Sequence, residues 1–231
     1  MSYLENKYFL IFITFGVFFV AKQIQKKTGY ALLNPILITI AVLIAFLKFT
    51  GISYETYNEG GELIEFWLKP AVVALGVPLY LQLRQIKKQL IPILLSQLAG
   101  CVIGIVSVVL IAHVLGASRE VVLSLAPKSV TTPIAMEVSK TIGGIPALTT
   151  AVVVCVGLFG GIAGFQLMKL LKVNRPISQG LSIGTAAHAL GASTAMEISS
   201  KYGAYAGLGL TLNGILTALL TPTILKVLGF V

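Results

Sequence analysis

Lys128 sits in an otherwise apolar stretch and is bracketed by prolines, in Ala126-Pro-Lys-Ser-Val-Thr-Thr-Pro133. Proline removes a backbone donor and breaks the helical ladder. Thr132 is placed to cap a half-helix that has Pro133 at its first position. The free N–H groups at such a start favour an anion. Lys128 adds a full positive charge, and Ser129, Thr131 and Thr132 add hydroxyls beside it. The chemistry these residues suit is capture of a small carboxylate. The competing reading is a lysine that snorkels to the interface while the prolines shape a loop. A lysine inside an apolar stretch is costly and as a rule purposeful, which favours the binding site.

The same segment returns sixty positions later (195 − 135). The shift lays Ala195-Met-Glu-Ile-Ser199 on Ala135-Met-Glu-Val-Ser139, and residues 186–193 on 126–133. His188 falls on Lys128. A lone histidine in an apolar region is more often structural, but this alignment, with Gly184 and Gly191 on either side, gives it a second reading as a substrate or proton-coupling residue. Ser193 and Thr194 are placed to cap the half-helix that follows Gly191. Glu137 and Glu197 are aligned acids that could hold a coupling proton or sodium ion. They also make good helical pairs, Glu137–Lys140 and Glu197–Lys201, and Thr194-Ala-Met-Glu197 fits a capping box, so the balance leans structural. Asn34, before Pro35, and Asn213, in the last apolar run, are candidates to line a cavity. Asn34-Pro35, Lys69-Pro70 and Pro78 break or merely kink the second and third spans.

The elements that must position these residues are membrane helices. The chain of 231 residues is 56% hydrophobic and 11% charged, well below the roughly 25% charged of soluble domains. Several uncharged runs reach the roughly 20 residues that a bilayer requires. We expect an all-α polytopic membrane protein with about six full spans, at 4–21, 30–47, 66–83, 90–116, 143–168 and 202–231. Two polar interrupted segments, 119–140 and 179–201, complete it. Residues 1–118 are read as N-terminal spans and 119–231 as a repeat-containing bundle, with copies near 119–172 and 179–231.

Basic residues cluster at 22–27, 84–88 and 169–175, each beside an apolar run, as cytoplasmic loops do. Between the first two lies an acidic loop, 51–62, expected outside. If the first polar segment re-enters as a hairpin, 169–175 stays cytoplasmic; if it crosses, that basic loop lies outside, against the rule. A hairpin plus one crossing is an odd unit, so the second copy is upside down. The hairpin reading therefore makes an inverted repeat whose polar tips meet near the midplane, as in secondary transporters. Eight crossings remain the alternative.

Other classes are disfavoured. The +9 charge belongs to these loops rather than to a nucleic-acid surface. Cys101 and Cys155 lie in apolar runs and read as small buried hydrophobes. Neither metal-ligand spacing, nucleophile motif nor Walker-type phosphate loop is present, so no enzyme and no cofactor are expected. The first residues lack a basic n-region and a small-residue cleavage site, so no signal peptide is expected. A homo-oligomer is expected for such a fold.

Residues 126–135 (Ala-Pro-Lys-Ser-Val-Thr-Thr-Pro-Ile-Ala) and 184–191 (Gly-Thr-Ala-Ala-His-Ala-Leu-Gly) resemble the LrgB/CidB family of bacterial membrane proteins. Leu33-Asn-Pro35 and Pro70-Ala-Val-Val-Ala-Leu-Gly-Val-Pro-Leu-Tyr80 are similar to its earlier motifs. The resemblance covers essentially the whole chain and implies a bacterial inner-membrane location. It implies two functional classes. One is an antiholin-like regulator of murein hydrolase export and lysis, acting with a small LrgA-type partner. The other is a carrier of small carboxylates, because the C-terminal part of the plastid glycolate/glycerate translocator is similar and some bacterial relatives are linked to pyruvate uptake. The repeated polar segment with Lys128 and His188 places the carrier first among the expectations.

Overall fold

The apolar runs fold as helices. The computed structural model of the chain describes residues 3–30, 33, 35–67, 70, 77, 80, 87 and 89–231. Among these there is no strand. Four helices are long and apolar enough to cross a membrane: α1 (Lys7–Thr28), α4 (Leu90–Val114), α7 (Pro146–Leu170) and α9 (Ser200–Val227). A shorter apolar helix, α2 (Pro35–Thr50), takes the place of the second predicted span. The third predicted span, 66–83, falls mostly outside the described residues, as do Asn34, Lys69, Pro78 and most of the basic stretch 84–88.

The chain divides into two compact units, Met1–Val73 and Ala74–Val231. α4, expected with the N-terminal spans, belongs to the second. In the first unit the expected acidic loop 51–62 is largely helix, α3 (Tyr54–Glu65), started by the Ser53 side chain accepting from the Thr56 N–H. Gly60 of this helix serves close packing. A Cβ on Gly60 would stand 3.0 Å from the Lys7 carbonyl of α1, and the Thr14 and Tyr57 hydroxyls meet at 3.0 Å.

The second unit holds both polar segments, and both fold back. The first is α5 (Arg119–Leu125), a break, and α6 (Thr132–Ile142). Val122, Leu123 and Ala126 share one buried cluster with Val138 and Ile142, so the outgoing arm packs on the incoming one. The second is α8 (Pro176–Ile198), whose helical run is interrupted at His188 with φ 43° and ψ −133°. Beyond it the chain reverses. A Cβ on Gly191 would stand 2.7 Å from the Ile183 carbonyl, eight residues back (191 − 183), whereas a straight helix separates such residues by about 12 Å. Ala195 likewise packs with Ile183 and Ala187.

Helix directions follow from the contacts. α4 and α9 run parallel, since Ile93 packs with Leu208, Cys101 meets Thr217 and Val109 clusters with Leu225. α7 runs against the entering arm of α8, with Gly157, Gly160 and Gly164 facing His188, Ala187 and Ile183 in turn. Each hairpin is thus followed by one crossing, and the two crossings point opposite ways. The polar segments re-enter, and the two repeats are inverted copies.

Candidate functional site

The two hairpin tips meet halfway along the crossing helices. Asn213, fourteenth of the 28 residues of α9, donates both Nδ2 hydrogens across the junction. One goes to the Ser129 carbonyl of the first tip and one to the Thr185 carbonyl beside the second, each at 3.0 Å. Val153 of α7 stands sixty positions earlier (213 − 153) and has the matching place. Its side chain packs with Val130 and Ala135, and its carbonyl lies 2.9 Å from His188 Nε2. Broken backbone at this depth is tolerated only where protein or a wet cavity satisfies it. Asn213 meets part of that need for the backbone at both tips.

A cavity of about 1050 Å³ opens beside the junction. It extends from Gln89 and Arg175, near the starts of α4 and α8, to Lys128, Ser129, Asn213 and Thr217 at mid-helix depth. Beyond that depth Val109, Val122, Leu123 and Leu225, each wholly buried, fill the other half of the bundle. The lining therefore runs from the side of the basic residues 169–175 to mid-helix depth. Among the described residues its lining carries two cations, Lys128 and Arg175, and no acid. The volume far exceeds a three-carbon acid, so this is a vestibule with a binding end rather than a fitted pocket.

Lys128, Ser129 and Asn213 are the predicted site residues brought together on this wall. The Lys128 ammonium donates to the Ser129 hydroxyl at 2.9 Å. Thr131 and Thr132 stand behind the tip, away from the lining. α6 begins one residue earlier than expected: Thr131 is the N-cap, without a side-chain cap bond, and Thr132 is already helical. The Thr131 hydroxyl and Asn213 Oδ1 are buried without a hydrogen-bond partner among the described residues.

The second tip is arranged differently. His188 is buried at 3% exposure and points at α7, where a Cβ on Gly157 would stand 2.6 Å from its ring. Its backbone is near the first central position of a II′ turn, a place that favours glycine. Because the chain breaks at His188 rather than at Gly191, Ser193 and Thr194 lie inside the returning arm and cap nothing. The Thr194 hydroxyl donates to the Leu190 carbonyl, and Gly191 is packed against Ala187. Glu137 and Glu197 are exposed on the returning arms, away from the cavity lining. Asn34 lies outside the described residues. Sequence reasoning missed Gln97, Ser178, Ser182 and Thr185, all on the cavity wall. The spacing Ser178, Ser182, Thr185 (i, i+4, i+7) was a readable signal of one polar helix face.

The model of the LrgB-like family matches residues 14–227. The chain belongs to the LrgB-like family. Among its relatives are an uncharacterized protein of Haemophilus influenzae, 39% identical with 96% of each chain covered, and the antiholin-like protein LrgB of Bacillus subtilis, 36% identical with 97% of each covered. The holin-like protein CidB of Staphylococcus epidermidis is 34% identical, with 94% of each covered. No solved structure matches. The motif resemblance is borne out over nearly the full length, and with the apolar helices it makes this LrgB-like chain a multi-pass membrane protein.

Proposed function

We propose that this LrgB-like chain is an antiholin-like regulator of murein hydrolase export and lysis, acting in the bacterial inner membrane with a small LrgA-type partner. The observation that carries the reading is the near-full-length likeness to relatives named antiholin-like and holin-like. This reverses the order expected from the residues, where a carrier stood first; the relatives' names lend that carrier no support. The geometry is compatible with a regulator. The cavity lining stops at mid-helix depth, and the described core beyond it is the buried cluster around Val109 and Leu225. The reading is tested by expressing the chain, with and without an LrgA-type partner, in a bacterium lacking its own pair. Murein hydrolase release and lysis should change only when both are present. Unchanged lysis in every combination would remove the proposal.

One observation favours a second reading. Lys128 lines a cavity with no acid among its described lining residues, at a junction of two inverted hairpins, the place where secondary carriers bind substrate. Under this reading the chain carries a small monocarboxylate such as glycolate, glycerate or pyruvate, with a proton or sodium ion as the coupling ion. Proteoliposomes holding only this chain should then take up labelled pyruvate or glycolate saturably, and Lys128→Ala should weaken uptake at low substrate concentration by about ten- to hundred-fold, the worth of a charge-assisted hydrogen bond. Absence of saturable uptake, both alone and with the partner, leaves the regulator.

A further inference from the structure

We infer that Gln97 is the second arm of a two-point ligand site whose first arm is Lys128, and that Gln97 reads an oxygen acceptor beside the carboxylate of a small anion. The inference rests on the ligand-binding reading of the cavity and goes beyond it by assigning what sets selectivity there.

Gln97 is the polar anomaly of α4. It is 3% exposed in a helix that is otherwise almost wholly apolar, yet it stands on the cavity wall. Its Oε1 accepts from the Thr185 hydroxyl at 2.6 Å. The same hydroxyl lies 2.7 Å from the Leu181 carbonyl, so its one hydrogen is shared between two acceptors. With the amide so placed, Nε2, a two-hydrogen donor, has no protein partner among the described residues. A buried amide in an apolar helix is costly unless its donors are used. Here the open direction is the cavity.

Gln97 and Lys128 belong to one unbroken chain of hydrogen bonds. Gln97 is held by Thr185. The Thr185 carbonyl is held by Asn213, which also holds the Ser129 carbonyl. The Ser129 hydroxyl accepts from Lys128. All five residues line the cavity, and they come from α4, both tips and α9. Gln97 precedes Cys101 by one turn, about 6 Å along the same face. Cys101 shares a buried cluster with Ala126, two residues before Lys128. The amide and the ammonium therefore line one cavity.

The donors set the ligand's chemistry. Lys128 spends one of its three hydrogens on Ser129 and keeps two for a carboxylate. A neutral amide N–H suits a second oxygen, such as a carbonyl or hydroxyl on the adjacent carbon. With no acid among the described lining residues, none of them would pair with an amine. The site thus suits a monocarboxylate with an oxygen at its second carbon and disfavours a plain short-chain fatty acid, since a polar group left unpaired in a site discriminates strongly against the analogue that lacks its partner.

The test uses the full chain in lipid nanodiscs with pyruvate and propionate, two three-carbon acids that differ at the second carbon. Wild type should bind pyruvate at least about tenfold more tightly than propionate. Gln97→Leu should weaken pyruvate by about ten- to hundred-fold while leaving propionate unchanged, the scale of one hydrogen bond to a charged ligand. Lys128→Ala should weaken both. Pyruvate bound alike by wild type and Gln97→Leu overturns this inference alone; wild type binding neither probe removes the ligand-site reading itself. Gln97→Cys, with Cys101→Ala and Cys155→Ala, gives a readout independent of affinity. A small hydrophilic thiol reagent should label the Gln97→Cys variant, and saturating pyruvate should slow the labelling. A thiol at this position that stays unreactive, or that pyruvate does not protect, sinks the assignment.

Discussion

The two re-entrant hairpins carry closely similar sequence, yet they are fastened to their crossing helices by different means. The first hairpin is tied to α7 by hydroxyls. Ser124 receives the Ile145 N–H at 2.7 Å. The Thr149 hydroxyl lies 3.0 Å from the Ser124 carbonyl and 2.7 Å from the Ser139 hydroxyl. The sixty-residue shift turns Ser124 into Gly184 and Thr149 into Gly209, and the second hairpin is accordingly held to α9 by backbone approach. A Cβ on Gly184 would collide with the Ala206 carbonyl, and one on Gly209 would stand 2.5 Å from the Leu181 carbonyl. The tips differ in the same spirit. Lys128 faces the cavity with a single side-chain partner, whereas His188 is buried as a structural pin. Duplication supplied one frame twice; divergence made one copy polar and cavity-facing, the other tightly welded.

The largest effect should come from the weld. Gly184→Val forces backbone apart at a contact with no flexible side chain to yield, and overpacking of this kind costs about 1–3 kcal/mol or more. The folded fraction in detergent, read by size-exclusion chromatography, should fall sharply. Full recovery at the wild-type melting midpoint would refute the weld. Next comes the bridge between the tips. Asn213→Leu strips the donors from the Ser129 and Thr185 carbonyls, and each buried group left unpaired costs about 1–3 kcal/mol. Its melting midpoint should drop further than that of any single hydroxyl deletion.

A hydroxyl deletion in the first hairpin should cost less than either. Thr149→Ala leaves the Ser139 hydroxyl and the Ser124 carbonyl short of a partner, worth about 1–3 kcal/mol in all. A loss in thermal stability equal to that of Gly184→Val would erase the contrast between the hairpins. The smallest and most diagnostic effects are at the tips. His188→Ala loses the bond to Val153 and keeps the left-handed strain. His188→Gly loses the bond but relieves strain worth about 1–3 kcal/mol. The glycine variant should therefore melt higher than the alanine one. Lys128→Ala should leave the melt nearly unchanged, since the ammonium's one hydrogen bond among the described residues is to the neighbouring Ser129 hydroxyl. Equal melts for the two His188 variants would mean that the tip's geometry imposes no strain.

Much of this was legible in the sequence because each legible feature obeys a local rule. Apolar run length gave α1, α4, α7 and α9, since a bilayer sets the length that a helix needs. The repeat gave two interrupted segments, because the prolines and glycines that break a helix are visible as letters. The Lys169–Arg175 cluster favoured re-entry of the first polar segment, and the packing of α5 on α6 accords with that. Local rules misled where tertiary packing overrode them. Gly60 read as loop and is helix, because its missing Cβ admits α1. Thr132, Ser193 and Thr194 read as caps and are not, because the breaks fall at Thr131 and His188, one residue or more from where composition put them.

What the sequence by itself determined is therefore the membrane class, the duplication and the charge at Lys128, all properties of residue type and spacing along one chain. What only the tertiary structure decided is which of two aligned polar residues sees water. Lys128 and His188 occupy one repeat position. The glycine face of α7 lets the histidine ring pack on the Val153 carbonyl, and nothing comparable receives the lysine. Gln97 entered the site for the same reason: its letter marks a polar group in an apolar helix, but the direction of its amide is set by Thr185, on another helix 88 residues away.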